Sequence, residues 1–381
     1  MNITKDSDKI LSFLVKDDNI NYKYHKPIGK SKHIFKVLYN KLSKAATLIK
    51  EIGTSEVTKI TNSGQIVKPR DYDTRSFPAK ILQHIDQHSK TQYLYTVNSN
   101  TSPSLFSRTI KVFFVDEHND TNINKNKYAD CFRKMLYWFY ILNSCASSTC
   151  SQTITIYIYL SSVKKELPEH SSIIIDQNHA NTGFTRNCTV NSEICIFRKE
   201  EWFKVFIHET FHNFGLDFSD MNLSSINRYI REIFNVNIEY NIYESYCEVW
   251  ARIMNTMIYS YLSLSNKHRS HPETFRNTFK DNMKIEAYHS LYQSLKILTF
   301  MDLNFKVITE KSKDNIEICN HLYREKTSVF SYYIITSLLM NNYINFLGWC
   351  SKNNNVLLQF KKTPGNLDKY IEFIKDCCKN L

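Results

Sequence analysis

The chain has 381 residues and a formal net charge of +12. Hydrophobic residues make up 42% of it and charged residues 23%, which excludes bulk disorder, collagen and coiled coil and indicates a folded chain with a sizeable core. The lysines form short groups far apart rather than a basic stripe, so no specific nucleic-acid interface is predicted.

The first 90 residues are polar and mixed in character. Apolar residues at three- and four-residue spacing predict a helix over residues 34–52, which Gly53 ends. Residues 54–90 are predicted to form loops and short elements. The role of this region is left open, including whether it acts as a pro-segment.

The middle of the chain alternates between strands and helices. Runs rich in aromatic and β-branched residues predict strands over residues 93–97, 110–115, 153–160, 172–176 and 193–197. Helices are predicted over residues 128–143 and 200–214, with a polar, Asn-rich loop at 116–127 before the first and Gly215 after the second.

The last part of the chain is helical. Helical periodicity covers residues 227–234, 243–264, 272–300 and 329–346. Strands followed by helices predict an α+β fold. We divide the chain into an N-terminal region (1–90), a core (91–265) and a helical C-terminal subdomain (266–381).

Targeting signals and disulfide patterns are missing from the sequence. The first residues lack the charged segment followed by an apolar segment that is typical of a signal peptide. The apolar stretch over residues 332–349 contains three asparagines, so it is too polar to span a membrane. The ten cysteines include no CxxC pair and are expected to be mostly buried free thiols. We therefore expect an intracellular, cytoplasmic protein without a membrane partner.

One motif carries metal chemistry. Residues 208–212 form an HExxH sequence inside the predicted helix 200–214. Positions four apart lie on one helix face, so His208 and His212 can offer two imidazole nitrogens to one Zn²⁺ ion. Glu209 lies on the flank of that face, where it can reach the water that such a metal activates and act as general base.

The surroundings of the motif strengthen this interpretation. The helix is apolar nearly all round, which is typical of a buried helix, and buried histidines and a buried glutamate are costly without a compensating partner. The alternative is that His208 and His212 are hydrogen-bonded core histidines and that Glu209 lies at a surface edge.

A catalytic zinc site needs a third protein ligand, and the next long helix supplies two candidates. Glu244 and Glu248 share one face, and Arg252 lies four residues after Glu248 as an ion-pair partner. Glu244 has no basic residue three or four positions away, so a buried Glu244 needs a proton or a cation. We predict Glu244 as the third ligand and Glu248 as the acid that orients a ligand histidine. The reverse assignment and two solvated glutamates are the alternatives.

These residues resemble a known family. His208-Glu209-x-x-His212 followed by Glu244-x-x-x-Glu248-x-x-Ala251 resembles the gluzincin branch of the zincin metallopeptidases, in which the second acid is commonly aspartate. Residues 181–185 and 197–204 are similar to metallopeptidases of large nucleocytoplasmic DNA viruses. The resemblance covers residues 90–260. Phe218 stands where another zincin branch has its third histidine, and Asp217 and Asp220 lie outside that register.

The resemblance implies a zincin-like mixed sheet packed on the active-site helix. An edge strand would line the substrate cleft, formed here by residues 181–185 or 193–197, and a bound peptide would add to it by backbone hydrogen bonds. A viral protein of this kind would lie in the host cytoplasm or the virion. The group that stabilises developing negative charge is left open, with Tyr240, Tyr243 and Tyr246 among the candidates.

Together these observations predict a zinc-dependent peptidase that acts on protein or peptide substrates. Zinc would be held by His208, His212 and Glu244, with Glu209 as general base. The rival interpretation is a non-catalytic protein, structural or virion-associated, that keeps a zincin fold and uses zinc for folding alone. An intact Glu209 argues against this rival, because zinc binding does not require that residue. Substrate, cleavage preference and oligomeric state are not predicted.

Overall fold

The computed structural model describes residues 30–51, 57–60, 66–70, 72, 76–97, 108–119 and 122–379. Residues 1–29 of the predicted N-terminal region, and parts of residues 52–75, lie outside the described residues. The described part is a mixed sheet with helices on both faces, followed by a mainly helical second half.

Six strands form one mixed sheet. They are β1 (Val57–Ile60), β2 (Thr91–Val97), β3 (Thr109–Asp116), β4 (Thr153–Tyr159), β5 (Gly183–Thr185) and β6 (Asn191–Ile196). Their order across the sheet is β1-β2-β3-β4-β6-β5. The three central strands β3, β4 and β6 are parallel, whereas β1, β2 and β5 pair antiparallel with their neighbours. Strand β5 therefore lies at one edge of the sheet.

Helices precede, connect and follow the strands. Those up to the HExxH motif are α1 (Lys30–Glu51), α2 (Ala79–His88), α3 (Asn122–Asn143), α4 (Gln177–Ala180) and α5 (Trp202–Asn213). Those after it are α6 (Ser224–Ile233), α7 (Ile242–Ser263), α8 (Asn266–Arg269), α9 (Pro272–Phe300), α10 (Phe305–Thr309), α11 (Lys313–Leu322), a π-helix (Phe330–Ile335), α12 (Thr336–Asn341), α13 (Tyr343–Asn353) and α14 (Pro364–Lys379).

The sheet is covered on both faces because side chains alternate along its strands. On β4, Ile154, Ile156 and Ile158 belong to the main core, which also contains the buried residues of α3 and α5. Tyr157 and Tyr159 point the other way, into a smaller cluster with the buried side chains of α2. This packing fixes α5 against β5 and β6, where the sheet ends.

The main core extends through all three predicted regions of the chain. It begins at Ile34 in α1 and reaches Cys377 in α14, and α1 packs against α3 and α13. The helical second half is thus joined to the sheet by shared apolar packing. The division at residues 90 and 265 stays a prediction.

Three element predictions were wrong in detail. The strand predicted over residues 172–176 does not form, because Asp176 caps α4 and only Ile175 makes a single bridge, to Glu325. The loop predicted to reach residue 127 is shorter, since α3 begins at Asn122. The single helix predicted over residues 329–346 is a π-helix followed by α12 and α13, which separate at Asn342.

No helix among the described residues is long and apolar enough to cross a membrane.

Two cysteines depart from the expectation of free thiols. Cys150 and Cys188 form a disulfide between the segment before β4 and the β5–β6 hairpin. The amide of Cys188 donates to the carbonyl of His212, so the bridge lies at the end of α5. The other eight cysteines are free, and most of them are buried.

Candidate metal centre

The HExxH motif lies in α5, a helix that is buried on almost every side. His208 is 6% exposed, Glu209 8% and His212 8%. In the middle of the motif, Thr210 accepts a hydrogen bond of 2.8 Å from the indole nitrogen of Trp138 in α3. Tight packing of the helix fixes where the two histidines and the glutamate emerge.

Three potential ligand atoms converge at one point. Nε2 of His208 lies 3.2 Å from Nε2 of His212 and 3.0 Å from Oε2 of Glu244. Nε2 of His212 lies 3.3 Å from the same Oε2 atom. Donor atoms around a tetrahedral zinc ion, bound at about 2.0–2.1 Å, lie about 3.3 Å from one another. The three atoms therefore have the spacing of one face of a zinc tetrahedron. Two imidazoles and one carboxylate are also a donor set typical of catalytic zinc.

Each histidine is held by a carboxylate at its other ring nitrogen. Nδ1 of His208 lies 3.1 Å from Oε2 of Glu248, and Nδ1 of His212 contacts Oδ2 of Asp217. We assign the ring proton to Nδ1 in both cases, because it can donate to the carboxylate there. The lone pairs of both Nε2 atoms are then free to face Glu244, as a metal site requires.

The two acids of α7 lie in different surroundings. Oε1 of Glu248 accepts hydrogen bonds from Nζ of Lys204 at 2.7 Å and from Nε of Arg252 at 3.0 Å. Glu244 instead contacts the two histidines at their Nε2 atoms. The structure thus brings Glu244 to the convergence point and places Glu248 behind His208. Their roles as metal ligand and orienting acid stay predictions.

We expect the two acids to respond differently to substitution. Glu244→Gln should weaken zinc retention severely, since it replaces an anionic donor at the convergence point. Glu248→Gln should weaken zinc retention by about 10–100-fold, the range usual for a group that orients a ligand. Zinc affinity measured by competition with a chelator distinguishes the two variants. If Glu248→Gln loses the zinc and Glu244→Gln retains it, Glu248 must be the metal ligand and Glu244 the orienting acid.

Asp217 is a site residue that the sequence analysis missed. Its position in the sequence is out of register for a third ligand. In the structure Gly215, with φ of 65°, ends α5 in the left-handed conformation and turns the chain back, which brings the buried Asp217 against His212. The thiol of Cys247 lies 3.7 Å from the same carboxylate. An acidic residue two positions after the glycine that ends the helix was the signal available in the sequence.

Glu209 lies beside the edge strand. A β-carbon at Gly183 would lie 3.4 Å from Oε1 of Glu209 and only 2.8 Å from the carbonyl oxygen of Cys195. The missing side chain therefore permits the close approach of β5 to α5. Burial raises the pKa of Glu209 above its ordinary range. A carboxyl with a raised pKa is a better proton acceptor than an exposed one.

Tyr332 of the π-helix also reaches the site, and sequence analysis did not single it out. Its ring centroid lies 5.9 Å from that of His208. Burial, followed by the charges of Glu244 and Glu209, raises the pKa of Tyr332 well above its ordinary value. Two of the tyrosines considered from the sequence are engaged elsewhere, since Tyr240 donates to Val236 and Tyr246 donates to Leu358.

The centre carries an excess of negative charge that favours a cation. Burial opposes the charged imidazolium of His208, but Glu244 and Glu248 outweigh it and raise the pKa of His208. The pKa of His212 is raised as well. Burial opposes the rise, but the interactions with Cys247, Glu244 and Asp217 are stronger than the effect of burial. Without a metal, protons would take the place of the cation. With a metal, these protons must leave.

A pH-dependent effect of metal removal follows from these shifts. Histidines with raised pKa values stabilise the metal-free fold below their ordinary pKa of about 6.5, and this stabilisation is lost as pH rises through the raised values. The melting temperature of chelator-treated protein should therefore fall further below that of zinc-loaded protein as pH rises above about 6.5. Thermal unfolding of both forms between pH 6 and 9 measures this gap. A gap that stays constant or narrows would contradict the predicted coupling.

Comparisons with known proteins found no similar protein. The chain matches no family model, no curated protein and no solved structure.

Proposed function

We propose that this chain is a zinc-dependent peptidase of the zincin type. The observation that carries the proposal is the convergence of Nε2 of His208, Nε2 of His212 and Oε2 of Glu244 at 3.0–3.3 Å. Carboxylates at both Nδ1 atoms strengthen it, because ligand histidines in metal sites are usually held this way. Glu248 and Asp217 would have this orienting role.

Each group in the proposed site would have its own role in hydrolysis. Zinc, when bound, acts as a Lewis acid on a carbonyl oxygen and lowers the pKa of a water molecule. Glu209 would accept the proton from the attacking water and then deliver it to the leaving amine. Its position beside the convergence point, without a bond to the ligand nitrogens, supports this role.

A peptide substrate is supported by the edge of the sheet. Strand β5 passes directly over α5 and pairs on one side with β6, whereas its other side pairs with no strand among the described residues. A cavity beside His208 and Glu209 is lined by residues 180–183 before and at the start of β5. An extended peptide could add to this edge and bring a scissile carbonyl to the metal.

Tyr332 would complete the cleft on the side opposite β5. Its ring contacts His208, and it lines the same cavity as Gly183 and Glu209. We propose that its hydroxyl donates to the oxyanion that develops on the scissile carbonyl. A donor placed in advance at that position stabilises the transition state more than the ground state.

The test combines a metal assay with a peptidase assay. Purified protein should contain about one zinc ion per chain, as a three-ligand site predicts. It should cleave members of a random peptide library, with cleavage sites identified by mass spectrometry, and chelation should stop the cleavage. Zinc binding without cleavage of any peptide would favour the rival interpretation, a structural zinc protein. Absence of both would refute the metal site.

A further inference from the structure

The turn that joins β5 to β6 is exposed and is held by a covalent bond. Every residue of this turn, 186–190, is exposed. Cys188 lies at its centre and forms the disulfide with Cys150, which is 2% exposed and precedes the start of β4. The disulfide therefore attaches an exposed turn to a buried point beside a central strand.

Asn213, the residue after His212, holds the end of the strand that enters this turn. Its buried side chain accepts hydrogen bonds at Oδ1 from the hydroxyls of Ser151 and Ser192, the latter at 3.0 Å. Its Nδ2 atom donates to the hydroxyl of Thr185, the last residue of β5, at 2.9 Å. One side chain at the end of α5 thus connects β5, β6 and the segment before β4.

Strand β5 extends from Glu209 to this network. Gly183, its first residue, lies beside Glu209, and Thr185 is bonded to Asn213. The strand pairs with β6 at three residue positions. Because each backbone hydrogen bond contributes only about 1 kcal/mol net, so short a strand depends on the contacts at its ends for its position over α5.

Hydrogen bonds also reach the turn itself. They are the amide of Cys188 to the carbonyl of His212 (3.3 Å), the amide of Ser151 to the carbonyl of Thr189 (2.7 Å) and Nδ2 of Asn187 to the hydroxyl of Ser219 (2.8 Å). Water competes for such groups in an exposed turn, so each bond contributes little. The disulfide joins positions 38 residues apart and limits the conformations that an opened turn can adopt.

We propose that the Cys150–Cys188 disulfide is a redox-sensitive link that orders the C-terminal end of β5, and that its reduction by a thiol loosens this end and the β5–β6 turn. The order of β5 is independent of any catalytic role. The effect on peptide cleavage rests on the proposed function, in which β5 binds the peptide backbone.

Reduction would consume two molecules of a small thiol such as glutathione. The first thiolate attacks Sγ of Cys188, because Cys188 is exposed whereas Cys150 is buried. The S–S bond breaks, Cys150 leaves as a thiolate and takes a proton, and Cys188 carries a mixed disulfide. A second thiolate attacks the outer sulfur of the mixed disulfide, and Cys188 leaves and is protonated. The small thiols are oxidised to their own disulfide, and the reverse exchange closes the link again.

Hydrogen exchange of the full-length protein measures the order of β5 without relying on activity. In Cys188→Ser, the protection factor of a peptide covering residues 183–190 should fall by at least about 10-fold. That of residues 203–211 in α5 should change by less than about 2-fold, because the helix packs in the main core. Cys131→Ser, which removes a half-buried free thiol, should behave like the wild type. Unchanged protection at residues 183–190, or an equal loss in both peptides, would overturn the proposal.

A redox titration of the wild type covers the case in which Cys188→Ser does not fold. After equilibration with mixtures of reduced and oxidised glutathione, alkylation of the denatured protein should count eight free thiols at the oxidising end and ten at the reducing end. The loss of protection at residues 183–190 should follow the same titration. A bond that stays closed in every mixture, or ten free thiols with full protection, would refute the redox-sensitive link.

Peptide cleavage gives a separate measurement. In Cys188→Ser, KM should rise while kcat stays within about 2-fold of the wild type, since β5 would bind the peptide and the zinc ligands are unchanged. A fall in kcat at unchanged KM would contradict an effect through β5. If the wild type cleaves no peptide, the proposed function fails, and the exchange measurements still decide on the disulfide.

Discussion

Glu209→Gln is expected to reduce peptide hydrolysis by at least about 10²–10⁴-fold, the contribution of a positioned general base. Glutamine keeps the size and hydrogen-bonding shape of the side chain but cannot accept the proton. Zinc content and melting temperature should stay near wild type, because Glu209 does not contact the ligand nitrogens. Burial already disfavours the ionised carboxylate, so its removal costs little stability.

The measurement is turnover of a peptide that the wild type cleaves, with the zinc content of each preparation determined in parallel. Gly183→Ala is a useful companion, because its β-carbon would lie 2.8 Å from the carbonyl oxygen of Cys195 in β6 and 3.0 Å from Val205 in α5, so β5 must shift beside Glu209 without a change in any ligand. It should lower turnover while zinc is retained. Equal turnover by Glu209→Gln and wild type, at equal zinc content, would remove Glu209 from the mechanism.

His208→Ala and His212→Ala are each expected to abolish zinc binding at stoichiometric concentrations. Each variant removes one of three protein ligands and leaves two donor atoms, too few for a stable zinc site. The consequences for the metal-free fold should differ. Glu248 keeps Lys204 and Arg252 as partners when His208 is lost, whereas Asp217 loses the cation-forming group that it contacts when His212 is lost. We therefore expect His212→Ala to unfold at the lower temperature.

Metal analysis by mass spectrometry and thermal unfolding measure these effects. His321→Ala is a matched control, because His321 is exposed on α11 and its ring bonds, among the described residues, a carbonyl of its own helix. It should retain about one zinc ion per chain. Full zinc content in both His208→Ala and His212→Ala would mean that the metal is bound elsewhere or not by these side chains.

Local sequence signals predicted the parts of the site that depend on helix geometry. The spacing of His208 and His212 follows from the helical repeat, and the contrast between Glu244 and Glu248 follows from the presence of Arg252 one turn away. In the structure the two histidines and both acids meet across α5 and α7. The sequence could indicate this because residues four apart lie on the same face of an α-helix.

The parts that were missed depend on contacts that lie outside the repeat of any single helix or strand. Asp217 reaches His212 only because Gly215 reverses the chain, and Tyr332 reaches His208 across more than a hundred residues. No periodicity within one element encodes such contacts. The disulfide between Cys150 and Cys188 has the same character, since composition does not tell which cysteines come together.

The wrong strand prediction has a local cause. Residues 172–176 have strand-forming composition, but Asp176 accepts a hydrogen bond from Asn178 and starts a short helix. Only Ile175 retains an extended pairing, with Glu325. Side-chain capping competes with strand formation wherever aspartate follows a short apolar run, and here capping prevails.

The dimensions of the sheet bear on how this protein behaves in concentrated solution. Three of its interior strands, β2, β3 and β4, are seven or eight residues long and rich in aromatic and β-branched side chains, a composition that promotes aggregation when an edge is exposed. Among the described residues the two edge strands are β1, with four residues, and β5, with three. So short an edge can pair with only a few backbone groups of another molecule. The edge at β5, which would accept an extended peptide under the proposed function, is thereby a poor template for a second copy of the chain.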